Sequence, residues 1–244
     1  MFGNKTKKIH ELENKLKDMS LKKSDLDQTL HYLLNGNIYS QSSSVTVYQA
    51  LMYIQKIICN SIIYGDYAYT VLRNPNTAPN LELETFLPVS DNHNFVVKDL
   101  SKSIYLPSSR TPFLTFPWSN ERIIDNIFTI GKDANNRFQT ANLNIENVYL
   151  YPLGVVLVNN GNHSQLIGIL KNEMETVKVN KIYDISKPLE ESNDSQFSNF
   201  YGFPKVKDMN SIKDKWLALM TVGKYLVSDS NLLAQFPQEI LNEI

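Results

Sequence analysis

Residues 157–172 read LVNNGNHSQLIGILKN, and the middle of this stretch, Asn160-Gly161-Asn162-His163-Ser164, holds residue types suited to anion chemistry. An apolar strand that enters a helix through a glycine turn leaves the first backbone N–H groups of the helix without acceptors. Those donors, with the positive end of the helix dipole, favour a negative charge. Gly161 can take a positive φ and let a phosphate or another backbone come close. Asn160 and Asn162 offer polar side chains, and Asn162 and Ser164 suit an N-cap. His163 can hold an anion when charged or exchange a proton when neutral. Gly168, one turn on, permits close packing. The expected site is therefore a phosphate or carboxylate cradle at 160–164, with His163 as the reactive or anchoring group. Asn-Gly is also an ordinary turn signal, and the same residues make a strand-to-helix turn with no ligand. The imidazole is the residue such a turn does not need.

Two further residues are expected to serve this turn. Arg122 lies on the first turn of a helix that begins after Pro117-Trp118-Ser119, and it can supply a cation. Asp184 ends a strand, and its carboxylate can orient His163 or hold Mg²⁺. Glu173 and Glu175 read as solvated loop charges. Trp118, Phe197, Phe200, Tyr201 and Phe203 can stack on a base, although such residues more often anchor a core or a loop. His10, His31 and His93 read as exposed and inert. The chain has no G-x-x-x-x-G-K-[ST], G-x-G-x-x-G, G-x-S-x-G or H-E-x-x-H pattern, so neither a serine hydrolase nor a zinc enzyme has support.

The elements that would position these groups follow from hydrophobic spacing. Residues 5–34 read as amphipathic helix, broken near Ser24 and ended by Asn35-Gly36-Asn37. Residues 45–64 read as a core helix that buries Cys59. Residues 73–94, rich in Pro and Asn, read as loop. Two short strands are expected around 94–107, a helix from Ser119 or Asn120 to Gly131, and strands in NVYLYPLG, VVLV and TVKVNKIYDI around the helix HSQLIGILKN. A loop over 187–207, a closing helix over 209–228 and a final helix over 231–243 complete the chain. The fold class is α+β: N-terminal helices packed on a small mixed sheet, closed by a C-terminal helix. The expected division is a helical region over 1–70 and an α+β core over 71–244, which can equally form one domain.

The layout of strand, Asn160-Gly161-x-His163, short helix and strand resembles the ParB/sulfiredoxin-like superfamily over about forty residues, 145–185. That resemblance implies a nucleotide-phosphate site at the turn, with Gly161 and His163 matching the glycine and histidine of the G-x-H-R motif. Ser164 stands where the phosphate-binding arginine belongs, so a bidentate anion contact is lost unless Arg122 or Arg137 replaces it. Asn162 stands where sulfiredoxins carry their catalytic cysteine, which excludes sulfinic acid repair. PWSNERI, YPLGVVLVNNGNHSQLIGI and IYDIS together also resemble an uncharacterised bacterial protein family, which brings no assigned activity.

Composition limits the alternatives. The chain has 244 residues, 42% hydrophobic and 20% charged, with net charge −1. That composition supports a packed core and gives no global attraction to nucleic acid or membrane. Cys59 is the one cysteine, so no disulfide framework exists and a reducing, cytoplasmic setting fits. No apolar run reaches membrane-spanning length, and the basic N-terminus lacks the apolar stretch of a signal peptide. The frequent Asn, Lys and Ile read as an AT-rich coding bias of bacterial or phage origin. The leading expectation is a nucleotide- or phosphate-binding protein, with phosphoryl-transfer or phosphodiester chemistry at the turn. The alternative is a non-enzymatic interaction protein from a phage or mobile-element conflict system, which binds a protein partner through residues 5–34 and the aromatic loop 197–203. A sequence-specific DNA binder is the weakest reading.

Overall fold

The computed structural model describes residues 43–68, 71, 95–191 and 210–244. The expected helices over 5–34, His10, His31, His93 and the aromatic loop 197–203 lie outside them. The first described helix, α1 (Ser44–Asn60), starts where Ser43 accepts a hydrogen bond from the Thr46 backbone N–H. Leu51, Met52, Gln55, Ile58 and Cys59 form its buried stripe, while Tyr53 and Ile57 face outward. The helix continues as π-helix over Ser61–Ala68.

Five strands form one mixed sheet in the order β1-β5-β3-β4-β2. They are β1 (Val96–Pro107), β2 (Phe113–Leu114), β3 (Glu146–Tyr151), β4 (Val155–Asn160) and β5 (Thr176–Asp184). The two strands expected around 94–107 are one strand whose register against β5 shifts between Asp99 and Ile104. β3 and β4 make an antiparallel hairpin through a cis Tyr151–Pro152 bond, and β3 runs parallel to β5. β3 and the first four residues of β4 are almost wholly buried, as befits strands covered on both faces.

Helix α2 (Asn120–Thr129) is capped by Ser119, whose side chain accepts from the Arg122 N–H. Helix α3 (Asn162–Leu170) joins β4 to β5 and packs beside α2. Helix α4 (Ser186–Glu191) follows β5. The closing helix α5 (Asn210–Ser228) buries Ile212, Trp216, Leu219, Met220, Val222 and Leu226. The expected final helix is two short ones, α6 (Ser230–Leu233) and α7 (Gln238–Leu241), because Pro237 interrupts the segment. One buried cluster unites α1, the sheet, α3 and α5. The fold class is thus α+β, and no helix among the described residues is long and apolar enough to cross a membrane.

Candidate functional site

Gly161 occupies the N-cap position of α3 with φ +83°, the left-handed region where glycine carries no Cβ penalty. The expected cap residues have other tasks. The Asn160 side chain accepts from the Gly161 N–H at 2.9 Å. Asn162 Oδ1 accepts from the Phe116 N–H at 2.7 Å and from the Thr115 hydroxyl at 2.9 Å. The Ser164 hydroxyl donates to Gly161 O at 3.0 Å. No side chain caps the helix, so its first backbone donors at Asn162, His163 and Ser164 have no intrahelical acceptor.

His163 is buried, and its Nε2 accepts from the Ser119 N–H at 3.0 Å. Acceptance at Nε2 places the ring proton on Nδ1. Burial, and then the nearby Arg122 charge, lower the imidazole pKa to about 4, so the ring is neutral at physiological pH. Trp118 stands edge-on to His163 with ring centroids 5.1 Å apart, and the Arg122 guanidinium lies 4.7 Å over the indole. Together Asn162 and His163 clip segment 115–119 to the start of α3.

Successive helical residues point about 100° apart, at 3.6 residues per turn. His163 accordingly faces Trp118 and Arg122, while Ser164 faces a cavity of about 210 Å³ shared with Asn136, Arg137, Gln139 and Asn142. The expected single cradle is therefore divided: Arg122 sits with His163, and Arg137 shares the cavity with Ser164.

The cavity wall is a tied loop. Gly131 and Asn136 exchange backbone hydrogen bonds at 2.7 and 3.0 Å. Glu173 accepts from the backbone N–H groups of Lys132 at 2.6 Å and Phe138 at 3.2 Å, which holds its carboxyl below the usual range. The expectation of a merely solvated Glu173 is thus corrected; Glu175 is exposed. Lys171 pairs with Asp133 at 2.8 Å and donates to the carbonyls of Ile127 and Ile130. A Cβ on Gly168 would stand 2.8 Å from the Phe138 ring, so the glycine lets the loop close on α3.

Asp184 does not belong to this site. Asn160 pairs with Glu146, whereas Asp184 pairs with Tyr151 at the other end of β3. Those ends lie roughly 16 Å apart at about 3.3 Å per residue. The Asp184 carboxylate instead accepts from the N–H and hydroxyl of Ser186 at the start of α4. It therefore neither orients His163 nor brings Mg²⁺ to the turn. Among the described residues, no three His, Cys, Asp or Glu side chains gather to hold a metal.

A buried polar network beneath the turn escaped the sequence reading. Gln165 Nε2 donates to Asn147 Oδ1 at 2.9 Å and to Asn160 O at 3.0 Å, and Gln165 Oε1 accepts from Asn147 Nδ2 at 3.0 Å. Asn147 also donates to Lys178 O. The available signal was two carboxamides inside otherwise apolar stretches, where a polar side chain must find partners.

No curated protein matches the chain. No solved structure matches it either. The model of a family of unknown function, DUF6710, matches residues 7–214, and the chain belongs to that family.

Proposed function

We propose that this protein binds a phosphate-bearing ligand, of the nucleotide class, in the cavity between Ser164 and Arg137. That cavity is the observation supporting the reading. Arg137, whose side chain makes no ion pair among the described residues, three carboxamides and Ser164 of the first turn of α3 line it. At about 210 Å³ the cavity is below the roughly 300 Å³ of a drug-sized site, so it takes the phosphate end and leaves the rest of the ligand outside. In terms of the ParB/sulfiredoxin-like resemblance, Arg137 supplies from the facing loop the charge expected at position 164. His163 anchors the turn and does not abstract a proton, because its Nε2 lone pair is already engaged by Ser119. The proposal is therefore binding, with no phosphoryl-transfer or phosphodiester step assigned to His163. Thermal unfolding against a nucleotide panel, with and without Mg²⁺, tests it. A ligand at about 100 times its Kd adds roughly 2.7 kcal/mol, a rise of about 5–10 °C. That rise disappears in Arg137→Gln if the reading holds; no rise with any nucleotide ends it.

One observation favours the alternative of protein–protein interaction. Ile124, Ile127 and Phe128 share one face of α2 and are solvent-exposed, Phe128 at 76%. Trp118 and Leu170 are exposed as well. Apolar side chains grouped in this way suit a protein partner. A Phe128→Asp variant that keeps its melting temperature and loses a co-purifying partner supports this reading; retention of every partner counts against it.

A further inference from the structure

A second cavity, of about 330 Å³, lies on a different part of the molecule. Its walls come from α1, the turn after β1, Tyr149 of β3 and residues 235–237. Met52, Leu106, Pro112 and the rings of Tyr48, Tyr53 and Tyr149 line it, so the interior is mostly apolar. Arg110 is the charged residue in the lining, and its side chain makes no ion pair among the described residues.

The turn that carries Arg110 is fixed before any ligand arrives. The N–H groups of Arg110 and Thr111 both donate to Pro107 O, at 3.2 and 3.1 Å. The Thr111 hydroxyl donates to the same carbonyl at 2.8 Å. The Ser108 N–H donates to Glu175 O at 3.0 Å, its hydroxyl donates to Met174 O, and Lys56 Nζ donates to Ser108 O. A guanidinium on a pre-organised turn binds with less ordering cost than one on a loose loop. Burial pushes the Tyr48 and Tyr149 phenols up, so both remain neutral donors at physiological pH.

We propose that this cavity binds a small organic monoacid, an aromatic or acyl body carrying one carboxylate, with the body among Tyr48, Met52 and Tyr149 and the carboxylate on Arg110. The volume falls at the low end of small-molecule sites, and apolar walls with one placed cation are the pattern such ligands need.

Calorimetric titration of the full chain with indole-3-acetate and octanoate, against indole-3-acetamide and octanamide, tests the proposal. The acids are expected to bind at least about tenfold more tightly than the amides, the value of one charged hydrogen-bonded contact. Arg110→Gln brings acid and amide to equal affinity. Gln49→Trp, an exposed helical position on the cavity wall, weakens acid and amide together while the melting temperature holds. The proposal is overturned if neither acid binds, if acid and amide bind equally to the native chain, if Arg110→Gln keeps the preference, or if Gln49→Trp binds as before.

Discussion

The backbone N–H of Ser119 donates to Nε2 of His163 at 3.0 Å, so the loop before α2 is held by a ring on the first turn of α3. A protonated ring has no lone pair at Nε2 and cannot keep this bond. The folded imidazole has a pKa of about 4, lowered from 6.5 by burial and then by Arg122. Above pH 6.5 both folded and unfolded chains carry a neutral ring, and the stabilisation is complete. As pH falls from 6.5 to 4, the unfolded chain takes up a proton that the folded chain refuses. Stability is then lost at up to about 1.4 kcal/mol per pH unit, and the loss levels off below pH 4. Urea unfolding across this range should show that slope in the native chain and lack it in His163→Leu. Parallel profiles would remove the linkage.

Gln165 and Asn147 satisfy each other inside the protein, and each also bonds a backbone carbonyl. Replacing Gln165 with Leu leaves Asn147 and Asn160 O short of partners. The expected cost is about 1–3 kcal/mol, read as a lower urea midpoint with unchanged slope. An unaltered midpoint would show that the network adds nothing to stability.

Gly168 meets the face of Phe138 without room for a methyl group. Gly168→Ala should destabilise by about 1–3 kcal/mol through overpacking, and it should cost less in a Phe138→Ala background, where the Cγ, Cδ1 and Cδ2 atoms in the way are gone. If Gly168→Ala costs as much in the Phe138→Ala background as in the native chain, or more, the contact is not the cause.

Asp184 and His163 lie at opposite ends of the sheet. Asp184→Asn is therefore expected to leave phosphate-ligand affinity at its native value in the same titration that reads Arg137→Gln. A comparable loss in both variants would contradict the division of the site.

The legible parts of the fold were those governed by local spacing. The period-two run TVKVNKIYD is β5, the Ser119 cap followed by apolar residues at three- and four-residue spacing is α2, although of Ile123, Ile124, Ile127 and Phe128 only Ile123 is buried, and the glycine at 161 takes the positive φ its turn demands. Tertiary pairing decided the rest. Asp184 and Asn160 both end strands, and only the parallel pairing of β3 with β5 shows that these are opposite ends. The expectation of a cap at Asn162 or Ser164 failed because Gly161 is the N-cap and the Asn162 side chain engages Thr115 and Phe116, a contact that spans 46 residues of chain. The sequence favours Arg122 over Arg137 for the turn, and the 100° step between His163 and Ser164 instead puts Arg122 with His163 and Arg137 with Ser164. The Glu173 carboxylate looked solvated because its two partners are backbone N–H groups in a loop without periodicity.

The most direct test of the proposed site is the backbone amide spectrum of the ¹⁵N-labelled protein during titration with ATP and with inorganic pyrophosphate. The account predicts saturating shifts at Ser164, Arg137 and Asn142, unchanged in Arg122→Gln and abolished in Arg137→Gln. Shifts confined to other residues, or none at millimolar ligand, would contradict it and return Asn160–Ser164 to the role of a structural turn.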